Sequence, residues 1–152
     1  MTSLIYNEGK KQILDGGIDL LNDTIKVALV TGSYTPDKDT HEDFGDIDNE
    51  VSGSGYDTGG NALTWTGGEF NENGQAAAVS RDDTNDRAVF NADDVTWGPA
   101  TITARAAIIY KSTGTDSTST LIAYVDFGKD YSASSEDFTI EWDSEGILYL
   151  GE

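Results

Sequence analysis

The chain has no cysteine, which excludes disulfides, thiolate metal sites and cysteine nucleophiles and leaves stability to packing and oligomerisation. It has a single histidine, His41, so transition-metal chemistry, which normally recruits imidazole or thiolate, finds no second ligand at a working spacing. A serine hydrolase fares no better. There is no G-x-S-x-G elbow, and Gly53-Ser54-Gly55 sits in an acidic, glycine-rich stretch. His41 therefore reads as a solvated loop residue. Long apolar runs are missing too. The opening MTSLIYNEGKKQIL has no apolar core of ~7–15 residues behind a basic patch, and nowhere do about 18 apolar residues follow one another. Neither an export signal nor a membrane span is expected.

Positive charge is scarce: nine Lys and Arg face 28 Asp and Glu, for a formal charge of −19. A field of that sign repels nucleic-acid phosphates and anionic headgroups, so neither nucleic acid nor a membrane is an expected partner. Such charge can keep a chain unfolded, but 37% of the residues are hydrophobic and gather in strand-like runs, so a folded chain is expected. Concentrated salt, where a short Debye length screens carboxylate repulsion, suits this composition, and points to a marine or, more strongly, a halophilic setting. No cofactor is expected, although the acidic loops leave room for a loosely held calcium or magnesium. The length of 152 residues suits a single domain over 1–152.

Along the chain, Leu4, Ile5, Glu8, Lys11, Ile13 and Leu14 fall at partly helical spacing before Gly16-Gly17, which predicts a short helix within an N-terminal segment 1–17. Ile25–Val30 (IKVALV) is a β-branched run between turn residues and reads as a central strand. Residues 32–60 read as a long surface loop. From Pro36 to Gly60 this loop carries eight acidic residues, one lysine and five glycines, with Phe44, Ile47, Val51 and Tyr56 as its apolar anchors. A loop of that length is either a solvated excursion or a place of partner contact.

Short strand candidates follow at Ala62–Thr66, Ala76–Val79, Ala88–Phe90 and Val95–Trp97. Ile102, Ala104, Ala106, Ile108 and Tyr110 alternate as one face of a strand, and Leu121, Ala123, Val125 and Phe127 as one face of the next, with STGTDSTS between them. Phe138, Ile140 and Trp142 alternate before Ser144-Glu145-Gly146, which predicts a second hairpin into Ile147–Leu150. The fold class is mainly β: an antiparallel β-sandwich or open β-barrel of about eight strands with a short N-terminal helix.

Several motifs have simpler readings. Val27–Ser33 (VALVTGS) looks like the first strand and turn of a dinucleotide-binding fold, but the further glycines are absent and Pro36 opposes the helix that should follow. Asp82, Thr84, Asp86 and Asp93 have some calcium-loop spacing, yet Arg87 stands where glycine belongs. That stretch is more simply a β-turn. Asn22-Asp23-Thr24 fits a glycosylation acceptor, which matters only where such machinery meets the chain. Trp65, Trp97, Trp142 and the tyrosines sit on or beside strand candidates, where large aromatics ordinarily fill a core.

The segments YNEGKKQILDGGIDLLNDTIKVALVTGSYTPDKDTHEDFGDI, EVSGSGYDTGG, DDTNDRAVFNADDVTW, ITARAAIIYK, LIAYVDFG and DFTIEWDSEGILYL, in that order, resemble a family of small structural proteins of tailed-phage virions, of the capsid-decoration or head-associated type. The likeness spans nearly the whole chain. Its marks are the helix leading into Ile25–Leu29, the Tyr34-Thr35-Pro36-Asp37 turn, Glu50-Val51-Ser52-Gly53, and Ala88–Trp97 leading into Ala104-Arg105. The acidic stretch from Gly67 to Gln75 departs from the pattern.

The resemblance implies a non-enzymatic virion component on the outer surface of the capsid. Its expected partners are the major capsid protein and further copies of itself, most simply as a trimer. Its contact face is expected at Leu4, Ile5 and Tyr6 and at Tyr34, Pro36, Phe44 and Tyr56, where apolar anchors sit among polar residues. A receptor- or glycan-binding module of the tail, neck or a head fibre, with Trp65 or Tyr131 stacking on sugar rings, is the alternative.

Overall fold

The computed structural model describes residues 3–66, 78–143 and 145–151. The stretch Gly67–Gln75, the start of the strand expected at Ala76 and the turn residue Ser144 lie outside the described residues. The elements in order are β1 (Leu4–Ile5), α1 (Asn7–Asp15), β2 (Ile25–Val30), a 3-10 turn at Phe44–Asp46, β3 (Asn61–Ala62), β4 (Val79–Asp82), β5 (Arg87–Phe90), β6 (Val95–Lys111), a second 3-10 turn at Asp116–Thr118, β7 (Leu121–Ile140) and β8 (Leu148–Gly151). They form two antiparallel sheets, ordered β1-β7-β6-β2-β3 and β4-β5-β8. The mainly β class and the short N-terminal helix are as expected, and the layering is consistent with a β-sandwich.

The helix starts later than its spacing suggests. Leu4 and Ile5 pair with Tyr124 and Ala123 as an edge strand, and α1 runs from Asn7 until Gly16 ends it in the left-handed region at φ 80°. Gly9 lets α1 lie against β7: a Cβ there would stand 2.5 Å from the Leu121 carbonyl oxygen. The central strand β2 occupies the six residues expected of it and is buried along nearly its whole length.

The hairpin of β6 and β7 is the body of the fold. At about 3.3 Å per residue a straight strand as long as β6 would run about 55 Å, so it must bend to stay within a small domain. It does so at bulges. Ala104 pairs with Tyr131, and Ala106 already pairs with Asp126, so Phe127–Asp130 on β7 stand opposite the single residue Arg105 on β6. Gly128 takes a φ of 81° in this bulge.

Bulges also alter which face each residue meets, and two expected faces need correction. Ile102 and Ala104 lie in the main core, but beyond Arg105 the residues in that core are Ala107 and Ile109. Ala106, Ile108 and Tyr110 belong to a second cluster with Ala28, Val30 and Tyr124. On β7 the extra residue Ile122, between Leu121 and Ala123, sends Leu121 to the second cluster and Ala123 to the main core. Strict alternation fails because a single inserted residue reverses the order of sides.

The main core gathers Val27, Leu29, Trp97, Phe138 and Ile140 with Phe90 and Leu148 of the smaller sheet. Trp97 meets Phe138 edge-on, their centroids 6.2 Å apart. The expected terminal hairpin does not form. Trp142 leaves β7, its main-chain N–H donating to Asp94 at 3.0 Å and its indole N–H to the Asp93 carbonyl at 3.0 Å. Gly146, at φ 94°, then turns the chain alongside β5, where Leu148 pairs with Phe90 and Gly151 with Arg87. The Asp82–Asp86 segment is the β-turn between β4 and β5: Asp82 accepts from the main chain and side chain of Asn85, at 3.3 and 2.8 Å, and from Arg87 at 2.9 Å.

The bulge is held by charge. Asp126, with 3% of its side chain exposed, accepts from Arg105 at 2.9 Å, and Arg105 is itself 27% exposed. Asp126 also accepts the Gly128 N–H at 2.9 Å, across the bulge. The Arg105 guanidinium, helped by that N–H, lowers the Asp126 carboxyl from an ordinary 3.8 to about 2. A depressed folded-state pKa gives stability that is full above the unfolded value and is lost as pH falls toward the folded one. The melting temperature should therefore drop between pH 4 and pH 2, and Asp126→Asn should flatten that part of the profile. Hydrogen bonds to charged groups are worth about 1.5–3 kcal/mol, and the partial exposure of Arg105 lowers the figure. Asp126→Ala should cost about 2 kcal/mol at pH 7 in chemical unfolding.

Candidate functional site

The acidic segment between β2 and β3 was the expected place of contact, and its geometry is unlike a free loop. Its first part covers the second cluster, with Tyr34 and Phe44 buried. Phe44 stacks on Tyr110 with a centroid separation of 4.2 Å, and the Phe44 N–H donates to the Ser119 carbonyl at 2.8 Å. Its second part acts as a discontinuous edge strand for β2. Thr31 N–H donates to Asn49 at 3.0 Å and Val51 N–H to Leu29 at 2.8 Å, and Leu63 N–H donates to Ile25 at 2.8 Å beyond β3.

Between those main-chain bonds a side chain takes over. The Leu29 N–H donates to the Tyr56 hydroxyl at 2.9 Å, which in turn donates to Glu50 Oε1 at 2.7 Å, an oxygen that also accepts the Gly59 N–H at 2.6 Å. The Tyr110 hydroxyl donates to the Gly59 carbonyl at 2.7 Å. Glycine is needed at the crossings. A Cβ on Gly60, which has a φ of 63°, would lie 1.9 Å from the Val27 carbonyl oxygen, and one on Gly53 would lie 2.3 Å from that of Thr101.

Of the expected contact residues, Tyr6, Tyr34, Phe44 and Tyr56 are buried within the chain. Leu4, Ile5 and Pro36 are only half-buried, the first two as strand β1. The sequence brings Tyr6 and Tyr34 together, but inward: their hydroxyls lie 2.9 Å apart, and the Tyr34 hydroxyl is 2.8 Å from His41 Nδ1. His41 is thus the half-exposed end of a buried hydrogen-bonded chain rather than a free loop residue. Burial pushes Tyr34 up to about 12 and Tyr6, Tyr56 and Tyr110 higher still. All four stay neutral phenols at ordinary pH and serve as ties.

Much of the acidity has a local use. Asp37 accepts from the N–H groups of Asp39 and Thr40 at 2.9 and 3.3 Å, Asp43 from Gly45 at 2.8 Å, and Asp46 from Glu42 at 2.8 Å. Asp19 accepts from Leu21 and Asn22, and Asp23 from Asp19. In a segment without a regular ladder these carboxylates satisfy main-chain donors. Hydrogen bonds hold Asp19, Asp23 and Asp37 below the usual carboxylate range. Among the described residues no group of three or more His, Asp or Glu is arranged to hold a metal ion.

Exposed apolar surface lies elsewhere. Leu14 is 84% and Leu21 58% exposed, and Leu21 lines a shallow hollow of about 390 Å³ together with Ile13, Ile18, Leu20 and Val79. A groove of similar volume follows β7, lined by Phe127, Tyr131, Phe138 and Ile140 with Asp137 and Glu141. Leu14 had only a weak signal in the sequence: it stands about 100° around the helix from Ile13, at the margin of an apolar stripe. The groove along β7 had none, since it depends on where a neighbouring strand stops.

The Tyr56 tie is testable. Tyr56→Phe leaves the Leu29 N–H without its acceptor and should cost about 1–3 kcal/mol, seen as a lower urea midpoint with an unchanged slope. Tyr131→Phe, at an exposed position, should stay within about 0.5 kcal/mol.

Compared with known protein-family models, curated proteins and solved structures, the chain finds no match in any of the three.

Proposed function

We propose that this chain is a structural protein of a tailed-virus particle, bound to the outside of the capsid across neighbouring subunits of the major capsid protein, as a homo-oligomer, most simply a trimer. What carries the reading is the use made of the residues in which the chain resembles such proteins. Tyr34, Glu50, Val51, Gly53, Trp97 and Arg105 are each a core residue, a side-chain tie, a close crossing or a bulge lock, so the likeness falls on positions that specify the architecture. A small domain whose long loop is sewn to its sheet suits a mechanical role. A protein that binds only the assembled shell stabilises it by mass action, without catalysis.

The contact face in this reading moves to the exposed leucines Leu14 and Leu21, the second of which lines the hollow. Exposed leucines near a hollow are the kind of surface that partner proteins cover. Leu14→Lys with Leu21→Lys should leave the melting temperature nearly unchanged and abolish attachment to purified capsids in a co-sedimentation assay. Retention of full attachment would remove this face from the proposal.

The first experiment is quantitative mass spectrometry of gradient-banded virions. The expected result is a copy number comparable to that of the major capsid protein. A handful of copies per particle would favour a tail, neck or fibre position, for which Tyr131, 46% exposed with Lys129 4.8 Å from its ring centroid, offers a stacking surface. Absence from the particle would overturn the virion reading.

A further inference from the structure

We propose that the outer edge of β7, from Phe127 to Ile140, is a docking site for an extended segment of a partner protein, both basic and apolar, added to the sheet as a further strand. The inference stands apart from the virion reading and would hold for a partner of any origin.

Three observations carry it. First, among the described residues the edge has no neighbour: β1 meets β7 only at Ala123 and Tyr124, and past the Phe127–Asp130 bulge, from Tyr131 to Ile140, β7 has β6 on one side and no described strand on the other, with one further interruption at Ser135, at φ 57°. An unpaired edge presents a row of main-chain donors and acceptors to an incoming strand. Second, that edge has an apolar floor. Phe127, Tyr131, Phe138 and Ile140 line the groove of about 390 Å³, and Phe127 meets Tyr131 edge-on at 6.2 Å.

Third, the charge along the groove is of one sign. From Asp130 to Asp143 there are five carboxylates, including Asp137 and Glu141 at the rim, and no lysine or arginine. Lys129, next to Asp130 in the chain, is turned onto the Tyr131 ring, and Arg105, opposite the bulge, is paired with Asp126. A second copy of this chain, at −19, brings the same sign to the same edge and is disfavoured. The complementary occupant is an extended segment alternating apolar residues for the floor with lysine or arginine for the rim.

The test uses the whole ¹⁵N-labelled chain and three synthetic octapeptides: alternating Lys-Val, alternating Lys-Pro and all-Lys. Alternating Lys-Val should shift amides of residues 127–141 selectively and bind at least tenfold more tightly than either control, because proline cannot complete a ladder and lysine alone has nothing for the floor. Tyr131→Ser and Glu141→Lys, both at exposed positions, should each weaken it about tenfold, and 1 M salt should weaken it further. Equal binding of the all-Lys peptide would reduce the effect to bulk charge and overturn the proposal. So would shifts centred outside 127–141, or protection of this edge by self-association in concentrated salt without any peptide.

Discussion

The Arg105–Asp126 ion pair sits at the point on which the rest of the sheet depends. On one side of it β6 and β7 form a ribbon over the smaller sheet, and on the other they join β1 and β2 at the centre of the larger one. The mismatch of Phe127–Asp130 against Arg105 must be taken up at this junction. If it were absorbed elsewhere by an odd step, Ile108 and Tyr110 would exchange sides with Ala107 and Ile109, and neither cluster would fill. A charge pair with one well-buried member is poor at adding net stability but good at fixing one register. Here the Gly128 N–H bonded to the same carboxylate adds the geometry that hydrophobic packing alone would leave loose.

The same logic runs through the acidic segment. β2 is central and fully packed, but its second neighbour is a chain that touches it at Glu50–Val51, at the Tyr56 hydroxyl, at Gly60 and at β3. Such an edge leaves many main-chain N–H groups without a ladder partner, and short carboxylate side chains supply acceptors. The charge excess is thus partly a cost of building an edge from a loop. It still suits concentrated salt, where the remaining repulsion is screened.

Much of this architecture was legible. The IKVALV strand, the β6–β7 hairpin, the Asp82–Asp86 turn and the glycine stop of α1 all follow from local chemistry, and the structure has each of them. What could not be read was tertiary. The alternation through Arg105 looks continuous because a bulge leaves no mark in composition, and β8 pairs with β5, Leu148 opposite Phe90, rather than with the nearby end of β7. Tyr34, Phe44 and Tyr56 are buried, which the sequence does not reveal because an aromatic in an acidic loop has the same signature whether it faces a partner or its own sheet. The glycines at 53 and 60, which permit backbone to pass over backbone, were the available sign that this loop lies flat.

The order of strands has a temporal meaning as well. β6 and β7 are neighbours in sequence and can zip locally, but β1 must wait for Ala123 and Tyr124, and β5 has its second neighbour only when Leu148–Gly151 exist. Pairings this distant close their loops at an entropic cost before contacts reward it, which slows folding. On a ribosome, then, the early strands remain exposed until almost the whole chain has emerged. The high negative charge of those waiting segments keeps nascent copies apart while they lack their partners.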